Sequence, residues 1–143
     1  MGYFVKMNLS PKGQQLVAMY EQMARSGYAR NDGQFVENAF SDFELRPFRE
    51  QVRGVLAEHG VKTLLDYGSG GSDWHAAGFD DVTGQSAAEY FGLDRAMKYE
   101  PARGIDERGA ADCVLSFDVL EHILLPMCQR CCAICFAVPR NCW

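Results

Sequence analysis

Leu64-Leu65-Asp66-Tyr67-Gly68-Ser69-Gly70-Gly71 is the stretch that decides the fold. The apolar run from Val61 to Asp66 is stopped by glycines, the pattern of a strand buried on both faces of a parallel sheet. Glycine at that place permits a tight turn and lets a ligand approach the main chain with no Cβ in the way. In open α/β sheets, ligands bind just there, beyond the carboxyl end of a strand. The acid narrows the choice of ligand. A phosphate site needs bare amides, and a carboxylate beside them would oppose the charge. No Gly-Lys-Ser/Thr follows, so the turn is not a P-loop. A ligand with a cationic amino group and an uncharged sugar fits better.

Outward from this turn, two more apolar runs read as strands: Ala96 to Glu100, cut off by Pro101, and Asp112 to Phe117. Before it, Pro11 to about Ser26 reads as a helix with Ser10 as N-cap, Pro11 at its first position and Gly27 closing it. Tyr28 to Phe43 reads as a turn followed by a short irregular or helical segment. A second helix is expected from Pro47 to His59, with Phe48, Val52, Val55 and Leu56 on one face and Gly60 at its end. The fold class is therefore α/β, a sheet with a helical N-terminal extension. Residues 1–60 form that extension, 61–123 the sheet unit and 124–143 an atypical tail. The aromatics Tyr20, Tyr28, Phe35, Phe40 and Phe43 suit either a lid over the site or ordinary core.

The glycine turn resembles the first motif of the class I S-adenosylmethionine-dependent methyltransferases: an apolar strand, an acid, then Gly-x-Gly, here Asp66, Gly68, Ser69 and Gly70. The family's third glycine would fall at Ser72, and Gly71 comes one place early. Glu100, before Pro101, resembles the acid ending the family's second strand, which takes both ribose hydroxyls. Asp94, in Phe91-Gly92-Leu93-Asp94, competes for that role. Ala111 to Ile123 resembles the fourth strand and its tail, where many members read Asp-Val-Leu-Glu-His, and it contains Asp118, Glu121 and His122. The resemblance implies a partial Rossmann-like methyltransferase sheet and S-adenosyl-L-methionine as cofactor. Asp66 and Asp118 would face its methionine part, Gly68 to Gly70 would provide the main-chain approach, and Glu100 would hold the ribose. It implies methyl transfer to a small-molecule or other acceptor and names no catalytic base. An insertion is expected around Ser72 to Glu89, where Trp74 and His75 are candidates to line the pocket. Glu100 to Asp112 is too short for a full helix–strand–helix unit, so a reduced or missing third strand is expected.

The tail departs from this pattern. Cys128/Cys131 and Cys132/Cys135 are two C-x-x-C pairs that abut with no intervening loop, which argues against zinc. We expect no metal. Codons can be chosen for Leu125 to Trp143 so that the neighbouring frame spells an amphipathic helix, the element due after the fourth strand. A reading-frame slip is thus one account of the tail, and an unusual genuine tail the other. A chain cut after the fourth strand would leave that strand's apolar edge bare, with weak folding and impaired activity as the expectation.

Composition bounds the rest. The chain has 143 residues, 48% of them hydrophobic and 23% charged, enough for one domain with a real core. A net charge of −5 gives no sign of a nucleic-acid partner. Met1 to Ser10 lacks the form of a secretion signal, and no run is apolar for long enough to span a membrane, so a cytoplasmic location is expected. Two rivals to methyl transfer stand: a non-catalytic α/β binding module that keeps the pocket, and a fragment of an NAD-dependent oxidoreductase.

Overall fold

The structure, a computed structural model, describes residues 9–41, 43–119 and the backbone of 133–136. Helix α1 spans Pro11–Ser26. Its start is set locally: Ser10 Oγ accepts from the Gly13 amide at 3.2 Å, and Pro11 sits where no amide partner is needed. Gly27 closes it with φ of 70° and an amide bonded to the Met23 carbonyl. The segment after it departs from expectation. It is a hairpin, β1 (Tyr28–Ala29) antiparallel to β2 (Phe35–Val36). Gly33 at φ of 83°, the Gly33 amide on the Arg30 carbonyl and the Gln34 amide on Asp32 make the turn.

The second helix also differs at its start. A 3₁₀ turn, Arg46–Phe48, precedes α2 at Arg49–Glu58. Pro47 lies within that turn, and the change of pitch leaves Phe48 exposed while Val52 and Leu56 are buried.

The sheet consists of β3 (Thr63–Tyr67), β4 (Arg95–Glu100), β5 (Ile105–Asp106), β6 (Cys113–Ser116) and β7 (Ala133–Phe136), in the order β5-β4-β3-β6-β7. It is a mixed sheet. β3 pairs in parallel with β4 (Asp66 opposite Lys98) and with β6 (Asp66 opposite Leu115), whereas β5 and β7 are antiparallel edges. The reduced third strand is thus two residues of β5 running backwards. The edge of β6 that the sequence led us to expect bare is covered by β7, whose backbone completes the ladder there. Of the C-x-x-C residues, Cys135 has its backbone in β7, whereas Cys128, Cys131 and Cys132, together with Glu121 and His122, lie outside the described residues.

A short helix, α3 (Ala87–Phe91), links β3 to β4. It is fixed by a reciprocal cap, in which Ser86 Oγ accepts from the Glu89 amide and Glu89 accepts from the Ser86 amide, and Gly92 ends it in the left-handed region. Side chains alternate across the sheet. One face buries Leu64, Cys113 and Leu115 against Val52 and Leu56 of α2, Trp74, Phe79 and Phe91. The other buries Leu65, Met97 and Tyr99. Residues of α2 therefore share the sheet's own core. At the amino end of the sheet, Asp112 ties two strands, its carboxylate accepting from the Lys62 and Thr63 amides. Among the described residues no helix is long and apolar enough to cross a membrane.

Leu64 is fully buried at the centre of the sheet. Leu64→Ala should lower the unfolding free energy by roughly 2–5 kcal/mol, read from urea denaturation midpoints. A loss below about 0.5 kcal/mol would contradict this placement.

Candidate functional site

With β4 and β6 on opposite sides of β3, the chain leaves the carboxyl end of the sheet in two directions, which opens a crevice. A cavity of about 370 Å³ occupies it, within the size range of small-ligand pockets. Asp66, Gly68, Ser69, Gly70, Glu100 and Asp118 all line this one cavity. α1 forms another wall through Leu16, Val17, Tyr20 and Ala24, and lies against the turn Pro101–Arg103.

The glycine turn is shaped by its neighbours. Gly68 has φ of 85°, and a Cβ there would overlap the side chain of Val119, two residues past the end of β6's apolar run. Gly70 has φ of 54°. Its amide donates to Glu100 Oε2 at 2.9 Å, and Glu100 Oε1 accepts from the Ala102 amide at 3.0 Å. Both carboxylate oxygens are thereby aimed, each keeping lone-pair capacity for a ligand. The remaining amides also turn inward. Gly68 and Ser69 donate to the Tyr99 carbonyl, Gly71 to that of Phe40 and Ser72 to that of Ser69. Every amide from Gly68 to Ser72 is committed, so the turn offers no nest for a phosphate.

Asp66 is only 5% exposed. Burial pushes its pKa up from the ordinary 3.8 to about 6; the Trp74 indole opposes the shift, the Glu100 charge adds to it and Lys98 opposes it. Trp74 Nε1 donates to Asp66 Oδ2 at 2.9 Å. Ser69 is buried, and its Oγ has no hydrogen-bond partner. A buried polar atom of this kind on a cavity wall is a position where a ligand would complete the bonding. Asp118 is exposed and stands two residues beyond β6, not at the strand's end as its motif suggested. It adopts φ of 56°, a region that aspartate tolerates better than most residues.

Asp94 stands at the amino end of β4, its amide on the Lys62 carbonyl, at the opposite end of the strand from the cavity. Glu100 is therefore the acid of that strand at the site. Trp74 does not line the cavity but orients Asp66 from behind, and His75 is exposed. The candidate lid aromatics divide. Tyr20 and Phe40 line the cavity with ring centroids 5.4 Å apart, Tyr28 stacks behind Phe40, Phe43 packs in the core on Trp74 and Phe79, and Phe35 is 60% exposed.

Two contacts of the site carried no signal in the sequence. Phe40 takes φ of 59°, and its carbonyl accepts the Gly71 amide at 2.6 Å. Arg103 Nη2 donates to the carbonyls of Ala39 at 3.3 Å and Phe40 at 3.5 Å, latching this loop beside the glycine turn. No group of three or more potential metal ligands occurs among the described residues. No protein-family model, no curated protein and no solved structure matches the chain.

Because the folded pKa of Asp66 lies above its unfolded value, the stability it leaves intact is greatest below 3.8 and is lost as pH rises through about 6. Asp66→Asn stays uncharged and can still accept from Trp74. Its stability relative to the parent chain should rise by ~1–3 kcal/mol between about pH 4 and pH 7, measured by urea denaturation at each pH. A constant difference across that window would show that Asp66 titrates normally.

Proposed function

We propose that the chain is a Rossmann-like S-adenosylmethionine-binding unit and that its chemistry is transfer of the cofactor's methyl group to an acceptor. One observation carries the reading: three carboxylates, Asp66, Glu100 and Asp118, converge with a glycine turn on one cavity at the carboxyl end of three parallel strands. The order β5-β4-β3-β6 matches the 3-2-1-4 order of a Rossmann-like half, with β5 reversed at the edge.

The residues fit a cationic nucleoside. An ionised, poorly solvated Asp66 attracts positive charge more strongly than an exposed carboxylate does. Glu100, held by two amides, suits a pair of ribose hydroxyls. The unpartnered Ser69 hydroxyl can give or take one more bond. A dinucleotide fits poorly, since the turn's amides are committed and acids surround it.

The bound cofactor would supply an activated methyl group on a sulfonium. The chain's part is then to orient and to exclude water: Asp66 and Asp118 hold the charged end, Glu100 the sugar, and α1 closes the cavity against solvent. Positioning of this kind is what a direct displacement needs from a protein.

Isothermal titration calorimetry tests the reading. S-adenosylmethionine should bind with heat, NAD should not, and Glu100→Gln should weaken the former by about tenfold or more. Affinity should also rise with pH through about 6 as Asp66 ionises. Binding of NAD alone would favour the oxidoreductase reading, and binding of neither the non-catalytic module.

A further inference from the structure

We infer that the methyl acceptor is a small, flat, uncharged nitrogen base, such as an aromatic N-heterocycle or an arylamine, held against the face of α1 beside Tyr20 and Phe40. This rests on the cofactor reading above and goes beyond it by assigning the acceptor's class. The first ground is charge. Among the described residues, four acids line the cavity, Glu44, Asp66, Glu100 and Asp118, against one cation, Arg103, which is engaged by the carbonyls of Ala39 and Phe40. One sulfonium does not reverse that balance. An anionic acceptor entering such a low-dielectric space is repelled.

The second ground is the wall supplied by α1 and its cap. From Leu9 to Ala24 every residue it lends to the cavity is uncharged, and Tyr20 adds a ring 5.4 Å from that of Phe40. Flat apolar bodies are favoured against such an aromatic and aliphatic wall. The third is size, because a cavity of about 370 Å³ lies at the small end of the range for ligand pockets and favours a small acceptor over a bulky one.

The fourth is proton bookkeeping. No histidine, lysine or cysteine is among the described residues lining the cavity, and three of its four carboxylates, Asp66, Glu100 and Asp118, are engaged with the cofactor in the reading above. An alcohol or an alkylammonium would have to lose a proton before attack, whereas an aromatic nitrogen carries a free lone pair at neutral pH. That lone pair forms the new N–C bond while the S–C bond breaks and its electron pair stays on sulfur. A ring nitrogen keeps the positive charge, which the surrounding acids stabilise, and an arylamine releases its N–H proton to water.

Calorimetry on protein saturated with S-adenosylhomocysteine, which cannot transfer a methyl group, tests the assignment. Quinoline should bind, and 2-naphthoate, of similar size but anionic, should bind at least about tenfold more weakly. Ala24→Phe, which narrows the α1 wall, should weaken quinoline by about tenfold or more and S-adenosylhomocysteine by less than about threefold. Tyr20→Ala removes bulk instead of adding it and should weaken quinoline in the same way, which keeps the test decisive if Ala24→Phe does not fold. Equal binding of the two probes, or quinoline affinity indifferent to both substitutions, would overturn the assignment while leaving the cofactor reading standing. Failure of S-adenosylhomocysteine itself to bind would remove both.

Discussion

A carboxylate buried near the carboxyl end of the central strand is the constraint on which the site depends. Asp66 lies between two parallel neighbours, is 5% exposed, and has the Trp74 indole as its hydrogen-bond donor. Desolvation of an ionised aspartate is costly unless a partner offsets it. Much of the surrounding architecture follows from keeping that carboxylate in place. Trp74 is buried among Phe43 and Phe91, so the group that orients Asp66 is itself immobilised by the core. On the other side Asp66 faces a cavity, where a positive charge would relieve the penalty.

The glycine turn solves a related problem. It must leave β3 at once, pass close to Glu100 and admit Val119 from the tail of β6. Gly68 satisfies the last demand by having no Cβ, and Gly70 satisfies the second by donating its amide to the acid. The turn thereby links all three parallel strands: β3 by the chain itself, β4 through Tyr99 and Glu100, and β6 through Val119. This makes the three acids one unit and not three separate strand ends.

Features set by neighbouring residues were legible in the sequence. α1 could be placed from Ser10, Pro11 and Gly27 because its caps lie within the chain's immediate reach. The strands were readable as apolar runs between breakers, and Glu100 as a strand-end acid from Pro101. Contacts across the chain were not legible. The Phe40 carbonyl meets a glycine amide about thirty residues away, and nothing local marks it. The 3₁₀ start of α2, the hairpin at Tyr28–Val36 and the reversal of β5 depend on tertiary packing or on turn geometry with weak local signals. The capping box of Ser86 and Glu89 was present and would have placed α3 inside what read only as an insertion. The bare edge expected beside β6 failed because β7 pairs there by backbone bonds, which any sequence can supply.

A cation held by a buried carboxylate is the central interaction of the proposed site, and the carboxyl of Asp66 can report on it directly. With ¹³C-labelled aspartate, the Asp66 carboxyl resonance can be titrated in the free protein, with S-adenosylmethionine and with uncharged-sulfur S-adenosylhomocysteine. The account predicts a midpoint near 6 in the free protein, a clear fall with the sulfonium ligand, and a smaller fall with the thioether. A midpoint that does not move when the protein is mixed with excess S-adenosylmethionine would contradict it.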